Sequence, residues 1–205
     1  MPNKKIFVQT NTTKDSVKDV SLKVLTFQEL WDAYPTGNPY DNPEYEDQCA
    51  IRMSVMLHRL GVKMQSFSEK LVHPLAGQKS IGRIYLDGLP TATRADEFGE
   101  WLQLRPIAGL PKPQNVTGED WESRVKGRTG IIMFRDYWAR SLAEKNPTGG
   151  HIDLWNGSRL TVSSGRGLIG VIGRAIRVRS AHVPGTAWGY SNLGKAREIL
   201  FWEIK

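Results

Sequence analysis

The order in which helical and strand-like segments follow one another constrains the fold of this chain most strongly. Helical patterns come first, and the apolar runs typical of strands follow in the second half. The helical patterns lie at residues 26–34, 42–61, 95–104 and 119–126, and the strand-like runs at 130–134, 151–155, 158–163 and 198–205. Helices that are segregated from closely spaced strands are typical of an α+β fold with an antiparallel sheet. The sequence therefore predicts this class.

The length of the chain favours one domain. A chain of 205 residues buries about 70% of the surface that its unfolded form exposes, so it can build a core without disulfides or metals. We therefore expect a single domain over residues 1–205. The first 24 residues are polar and rich in Thr and Lys, and only Ile6-Phe7-Val8 is strand-like. Residues 1–24 are predicted to form an arm or an edge strand.

The charge of the chain narrows the classes of partner. Lys and Arg outnumber Asp and Glu by 28 to 21, which gives a net charge of +7 and an isoelectric point near 9.6. This balance favours anionic partners such as nucleic acid, a lipid surface or a cell-wall polymer. The basic residues are scattered, however, and no run of them is typical of a nucleic-acid site. No apolar stretch is long enough for a membrane span, and the N-terminus lacks the apolar core of a secretory signal. We expect neither nucleic acid nor membrane as a partner.

The single cysteine limits the chemistry further. It excludes an intramolecular disulfide, and with only four histidines beside it the sequence argues against a structural zinc site. A G-x-G-x-x-G match at residues 165–170 lacks the βαβ unit and the acidic residue about 20 positions on that a dinucleotide site requires. We therefore expect no metal and no cofactor.

Cys49 lies in the early turns of the second predicted helix. Asn42 can cap this helix, Pro43 suits its first position, and Gly61 ends it. At 100° per residue the helix has one apolar stripe and one polar side. The stripe holds Cys49, Met53, Met56, Leu57 and Leu60, and the polar side holds Glu46, Ser54 and His58. Cys49 is either a buried apolar side chain or a nucleophile whose thiolate the helix start stabilises.

A cysteine nucleophile needs a base, and His151 is the best candidate. His58 lies nine residues after Cys49, on the opposite side of the same helix. His151 follows two glycines and opens a strand, and a cysteine with a histidine about 100 residues later has the papain-like order. Asp153 shares the strand face of His151, so its carboxylate can orient the imidazole. The alternative is a surface histidine beside an exposed aspartate.

The Asn-Gly pair at residues 156–157 predicts a β-hairpin with a two-residue turn. Such a turn pairs Trp155 with Ser158, Asp153 with Leu160, and His151 with Val162. Along the first strand, Trp155 shares the face of His151 and Asp153, and Ile152 and Leu154 take the other face. The indole of Trp155 either lines a substrate groove or packs in the core.

Three blocks of sequence resemble a known enzyme family. They are QCAIRMSVMLHRLGV around Cys49, GIIMFRDYW at residues 130–138, and GGHIDLWNGSRLT around His151. In this order they resemble the fourth family of type VI secretion amidase effectors, which are small NlpC-type, papain-like cysteine peptidases. The resemblance implies a papain-like α+β fold, in which N-terminal helices carry the cysteine and a C-terminal antiparallel sheet carries the histidine.

The resemblance also implies an activity and partners. Such effectors pass through the type VI secretion apparatus into the periplasm of other bacteria, where they cut the peptidoglycan stem peptide between γ-D-glutamate and meso-diaminopimelate. A cognate immunity protein blocks the active-site cleft and protects the producer. Carried over by position, Cys49 is the nucleophile and His151 its general base, and the backbone N–H of Cys49 contributes to the oxyanion hole. The implied function is that of an antibacterial amidase acting through an acyl-enzyme.

The third catalytic residue requires a separate argument. Some members of the family carry an aspartate at the position of Val162, which the predicted hairpin places opposite His151. Because valine cannot orient an imidazole, Asp153 is the candidate for this role. Ser163 or Ser164 would replace it if the hairpin register shifts by one residue.

Two other functions stay open at the level of the sequence. The first is a basic module that binds an anionic polymer and in which Cys49 is structural. The second keeps the pair of Cys49 and His151 but transfers the acyl group to an amine in place of water. Thiol reactivity separates the binding module from an enzyme, and the products formed with added amines separate transfer from hydrolysis.

Overall fold

The computed structural model describes residues 5–9, 17–21, 24–45, 47–138, 149–161, 181–182, 189–190 and 193–205. The helices are α1 (Phe27–Ala33), α2 (Cys49–Arg59), α3 (Ala95–Gln103) and α4 (Trp121–Val125), and a 3₁₀ turn spans Leu193–Lys195. The strands are β1 (Lys5–Gln9), β2 (Val17–Ser21), β3 (Arg83–Leu86), β4 (Leu89–Ala92), β5 (Gln114–Asn115), β6 (Gly130–Trp138), β7 (Gly149–Trp155), β8 (Ala181–His182), β9 (Gly189–Tyr190) and β10 (Glu198–Glu203).

β6 and β10 form the centre of the main sheet. The strand order is β5-β10-β6-β7, and each of these neighbours pairs antiparallel. β6 pairs with β10 through Ile132 opposite Phe201 and with β7 through Phe134 opposite His151. β7, which carries His151, therefore lies at one edge of this sheet. The α+β class predicted from the sequence is confirmed.

The two faces of the main sheet pack against different partners. The face toward α1, α2 and α3 contributes the buried side chains of Ile131, Met133, Ile152, Leu154, Leu200 and Trp202. The face toward α4 and the 3₁₀ turn contributes Ile132, Phe134, Trp155, Ile199 and Phe201. The alternation follows the period of two along each strand. It bears out the predicted separation of Trp155 from Ile152 and Leu154.

The N-terminal residues form a sheet of their own. β1 pairs antiparallel with β2, with Phe7 opposite Asp19. The sequence predicts only the first of these strands, over Ile6-Phe7-Val8. It misses β2 because VKDVS places two charged residues between two valines and so resembles a polar linker.

The predicted start of α2 is wrong. The helix begins at Cys49 and not at Pro43, so Cys49 is its first residue. The side chain of Asn42 accepts a hydrogen bond from the Glu44 N–H at 2.9 Å, and the Tyr45 N–H donates to the Asn42 carbonyl at 3.0 Å. These bonds form a local turn, in which asparagine competes with helix formation. The predicted end is right, since Gly61 follows the helix with a positive φ of 85°.

The predicted polar side of α2 is partly buried. Ser54 is fully buried, and its hydroxyl donates to the Ala50 carbonyl at 2.9 Å and accepts from the Ala92 N–H at 3.1 Å. The helix thus packs against β4 as well as the main sheet. Met53, Met56 and Leu57 are buried as the stripe predicts.

The hairpin of β3 and β4 is absent from the sequence prediction, which treats this region as loop. Asp87 and Gly88 join the strands, with φ values of 51° and 74°. Both values are positive, as the favoured two-residue hairpin turn requires, and Asp-Gly is a typical sequence for it. A local signal was therefore present, although Pro90 in β4 obscures it because proline is rare within strands.

The predicted hairpin turn after β7 is wrong in register. Trp155 pairs with Leu160 and not with Ser158. The side-chain oxygen of Asn156 accepts from the Ser158 N–H at 3.1 Å and the Arg159 N–H at 2.9 Å. These two hydrogen bonds stabilise a four-residue turn, so the predicted pairing of Asp153 with Leu160 is wrong as well. The predicted partner of His151, Val162, lies outside the described residues, as do Ser163, Ser164 and the glycines at residues 165–170.

In the described part of the chain, no helix combines the length and the apolar composition that a membrane crossing demands.

Candidate active site

Cys49 occupies the first position of α2. Its side chain is partly buried and packs at the border of the apolar cluster between the helices and the sheet. The backbone N–H groups in the first turn of a helix have no partner within the helix, and the helix dipole adds positive potential there. The corrected helix start therefore places Cys49 closer to this potential than the sequence predicts.

Two side chains hold the loop that precedes Cys49. The Gln48 amide donates to the Tyr40 carbonyl at 2.5 Å and accepts from the Tyr40 N–H at 3.2 Å. The Arg52 guanidinium donates to the Gly37 carbonyl at 3.1 Å and to the side-chain oxygen of Asn38 at 2.5 Å. Because the Gln48 amide is bonded to backbone on both sides, this residue stabilises the loop and fixes where the helix begins.

His151 on β7 meets both of its predicted partners. Its ring interacts with the Cys49 thiol, which helps to raise the pKa of the imidazole. On the other side, Nε2 lies 3.4 Å from Oδ2 of Asp153, and the two side chains are only 19% and 6% exposed. The ring also stacks on Phe134 of β6, with 6.4 Å between the centroids. The structure therefore brings Cys49, His151 and Asp153 together, with the histidine in the middle.

The surroundings of His151 favour its charged form. Burial lowers the pKa of this imidazole, but its interactions with Asp153 and Cys49 outweigh burial and raise the pKa from 6.5 to about 9. A carboxylate and a thiolate both stabilise an adjacent imidazolium. At neutral pH the histidine therefore holds a proton that it can give to a departing group.

Asp153 is buried and has donors of its own. Its Oδ1 atom accepts from the Leu154 N–H at 2.8 Å and from the hydroxyl of Thr161. Its Oδ2 atom is the one that faces His151. The alternative of an exposed aspartate beside a surface histidine is therefore wrong, because the side chains after the turn cover this face of β7.

Sequence reasoning missed two residues beside this group. Tyr34 follows α1 and is buried near Asp153, and the hydroxyl of Thr161 donates to the Asp153 carboxylate. Burial and the nearby charges of Asp153 and Cys49 raise the pKa of Tyr34 well above 10, so the phenol stays protonated. No local pattern in the sequence distinguishes Tyr34 or Thr161, since each reaches the site through tertiary packing.

A second carboxyl lies behind the strand that carries His151. Asp96, in the first turn of α3, is 3.4 Å from Nε of Arg135 on β6. A Cβ atom added at Gly150 would lie only 2.8 Å from Oδ1 of Asp96. Burial raises the pKa of Asp96 to about 6, although the charge of Arg135 opposes this. The glycine before His151 therefore makes room for Asp96.

The other histidines and the tryptophan considered in the sequence have contacts typical of structural residues. Nε2 of His58 lies 3.1 Å from the Pro90 carbonyl, and His73 forms a surface pair with Glu100. Trp155 is 4% exposed and its indole N–H donates into the core, so it packs in the core and lines no groove. Within the described ranges, no three His, Cys, Asp or Glu side chains are close enough together to hold a metal ion.

Comparison with known proteins extends this description. The family model of the type VI secretion system (T6SS) amidase effector protein 4, Tae4, matches residues 45–202. No curated protein matches the chain. The Tae4 effector of Salmonella Typhimurium, solved with Tai4, is 18% identical with a TM-score of 0.51, over 89% of this chain and 100% of that one. The Tae4 effector of Enterobacter cloacae is 16% identical with a TM-score of 0.50, over 91% and 100%.

The solved structures and the family match support different conclusions. At such low identity the solved structures support the fold, in agreement with the α+β arrangement of antiparallel strands described above. The family match spans both Cys49 and His151 and most of the chain. The chain therefore belongs to family 4 of the type VI secretion system amidase effectors, and it is a secreted antibacterial hydrolase that acts on peptidoglycan.

Proposed function

We propose that the chain cleaves the amide bond between γ-D-glutamate and meso-diaminopimelate in peptidoglycan stem peptides, with Cys49 as nucleophile and His151 as general acid and base. The observation that carries this proposal is a largely buried imidazole whose Nε2 atom lies 3.4 Å from a buried carboxylate oxygen and which interacts with the thiol of Cys49. A nucleophile, a base within reach and a group that orients the base are the parts that covalent acyl transfer requires.

The first half of the reaction forms an acyl-enzyme. The Cys49 thiolate attacks the carbonyl carbon of the γ-D-glutamyl amide, and the carbonyl oxygen becomes an oxyanion. The backbone N–H of Cys49, at the start of α2, is placed to stabilise this charge. The C–N bond then breaks, the His151 imidazolium gives its proton to the leaving amine of diaminopimelate, and a thioester remains on Cys49.

Water completes the cycle. The neutral imidazole of His151 removes a proton from water, and the resulting hydroxide attacks the thioester carbon. The C–S bond breaks, which releases the γ-D-glutamyl carboxylic acid and restores the Cys49 thiolate beside the imidazolium. The raised pKa of His151, about 9, supports an imidazolium at neutral pH.

Asp153 is our candidate for the third catalytic residue. Its Oδ2 atom faces Nε2 of His151, and its Oδ1 atom has donors of its own. In this assignment Asp153 orients the imidazole and stabilises its positive charge, as in other catalytic triads. A helix that begins with the nucleophile and an antiparallel sheet that carries the base also fit the NlpC-type, papain-like arrangement that the sequence predicts.

The site of action and the partners follow from the same proposal. The chain passes through the type VI apparatus and acts in the periplasm of the target cell. A positive net charge of +7 suits an anionic wall polymer. The Salmonella Typhimurium effector was solved in complex with Tai4, and we propose that a cognate immunity protein likewise inhibits this chain.

Digestion of purified peptidoglycan tests the proposal. The parent chain, Cys49→Ala and His151→Ala are compared, and the released fragments are identified by mass spectrometry. His73→Ala is the matched control, because His73 lies 87% exposed on the surface. We expect the parent and His73→Ala to release peptides that begin with diaminopimelate, and the other two variants to release none.

The same experiment separates the alternatives. Products extended by an added amine would indicate acyl transfer, and an intact wall with an unreactive Cys49 would favour the basic binding module. Cleavage at another bond would retain the amidase but change its substrate. Cleavage by Cys49→Ala at the parent rate would overturn the mechanism.

A further inference from the structure

We propose that Thr161 is a positioning residue whose hydroxyl group aims the Asp153 carboxylate at His151. This inference rests on the proposed roles of Asp153 and His151. It concerns how a carboxylate on the same strand as the histidine can act as its orienting group.

The direction of the hydrogen bond between Thr161 and Asp153 follows from counting protons. The Asp153 carboxylate can only accept, so the Thr161 hydroxyl donates its single proton to Oδ1. The buried phenol of Tyr34 lies near this carboxylate and stays neutral, because burial and the charge of Asp153 raise the pKa of Tyr34 well above 10.

The hydrogen bond from Thr161 explains how the Asp153 carboxylate can face His151. His151 and Asp153 are two residues apart on one strand, so their side chains stand side by side and do not point at each other. A carboxylate can rotate, and its Oδ2 atom faces His151 at 3.4 Å only in one orientation. The Leu154 N–H and the Thr161 hydroxyl both bind Oδ1. Together they leave Oδ2 for the histidine.

The surroundings protect this hydrogen bond. Thr161 is 7% exposed, so solvent competes little for its hydroxyl. Asp153 lies on β7, and Thr161 follows the turn after β7. The bond therefore ties the segment after the turn to the strand that carries His151.

Two substitutions at one position separate the hydroxyl from the packing. Thr161→Val keeps the shape but removes the donor, and Thr161→Ser keeps the donor but removes a methyl group. We expect Thr161→Val to lower kcat/KM on peptidoglycan fragments about tenfold, through kcat with KM little changed, as the loss of one hydrogen bond to a buried charge implies. Thr161→Ser should stay within about twofold of the parent.

Titration of the His151 ring by NMR tests the inference without a substrate. The pKa of about 9 in the parent should fall toward 6.5 in Thr161→Val, since the carboxylate is free to turn away, and should hardly move in Thr161→Ser. If Thr161→Val fails to fold, Thr161→Ala takes its place, since it also lacks the hydroxyl and is smaller than threonine.

The outcomes are distinguishable. A His151 pKa that stays near 9 in Thr161→Val overturns the inference, as does an equal loss of activity in Thr161→Val and Thr161→Ser, which indicates packing alone. If the parent cleaves no peptidoglycan but the His151 pKa shifts as expected, the proposed substrate is wrong and the positioning role of Thr161 stands.

Discussion

Two buried carboxylates flank the strand that carries His151, one on each face of β7. Asp153 lies on the histidine's own face, 6% exposed, and the Leu154 N–H and Thr161 hydroxyl donate to it. Asp96 lies on the opposite face behind Gly150 and is 8% exposed. The two are alike in burial, so burial alone does not identify the functional carboxylate.

The partners of the two carboxylates differ. Asp96 shares Arg135 with Glu198, which lies closer to the guanidinium, at 2.8 Å against 3.4 Å. The neighbouring Asp136 adds a like charge. Asp153 instead has neutral donors aimed at one oxygen and the imidazole at the other. Oriented donors hold a carboxylate in the position that catalysis requires. Asp96 shares its guanidinium and lies near a like charge, so the cost of burying its own charge is not offset.

Replacing each carboxylate by its amide gives the largest expected contrast. Asp153→Asn should lower kcat/KM by about 10³-fold, within the range by which acid–base catalysis contributes, because an amide neither attracts the imidazolium nor fixes its tautomer. Asp96→Asn is the matched control and should retain most of the activity. Steady-state kinetics on stem-peptide fragments measure both, and equal losses would show that the two carboxylates act alike.

Asp96 should dominate the pH dependence of stability between pH 4 and 6. Its pKa is raised from 3.8 to about 6, so the folded chain binds this proton more tightly than the unfolded chain. The free energy of unfolding should therefore fall as the pH rises through this range, by up to about 3 kcal/mol.

Urea unfolding at pH 4.5 and pH 7 measures this effect. Asp96→Asn should flatten the dependence and be more stable than the parent at pH 7, since it buries no charge. A parent chain that gains stability from Asp96 as the pH rises would show that Arg135 outweighs burial.

Gly150→Ala should destabilise the fold, because Asp96 leaves no room for a side chain at this position of β7. The new Cβ atom would lie 2.8 Å from Oδ1 of Asp96, and such overpacking destabilises a core by about 2 kcal/mol. In the background of Asp96→Ala the same change should be much milder. Thermal unfolding of the four chains in this double-mutant cycle measures the coupling, and additive effects would mean that Asp96 does not restrict Gly150.

The alkaline limit of activity should lie near pH 9. The pKa of His151 is raised to about 9, and above it the imidazole lacks the proton for the leaving amine. We expect kcat/KM to fall about tenfold for each pH unit above this limit. In Asp153→Asn the limit should move to lower pH, because a carboxylate that raises the pKa is gone. A limit that does not move in this variant would exclude Asp153 as the cause.

Parts of the fold follow from local sequence. Thr26 and Glu29 form the capping box that starts α1, and the alternation of apolar residues sets the two faces of β7 and β10. These features depend on neighbours within a few residues, so sequence reasoning finds them. The order of Cys49 and His151 together with the family resemblance predicts this pair, and the shared face of a strand predicts Asp153 as its neighbour.

Other features depend on contacts between distant segments. The start of α2 depends on the bonds between Gln48 and Tyr40, which outweigh the local signal at Asn42. Tyr34 and Thr161 lie close together only in the folded chain, because more than a hundred residues separate them in the sequence.

The predicted hairpin register is wrong for a local reason that the Asn-Gly rule omits. The side chain of Asn156 accepts hydrogen bonds from the two N–H groups that follow Gly157.

The central claim is that Cys49 carries the acyl group while His151 moves the proton. Rapid acid quenching of the enzyme with a stem-peptide fragment, followed by intact-mass and peptide mass spectrometry, tests it most directly. Because Cys49 is the only cysteine, a thioester has one place to form. We predict a γ-D-glutamyl adduct on Cys49 in the parent chain and none in His151→Ala. Turnover of the fragment without any adduct on Cys49, or with an adduct elsewhere, would contradict the account.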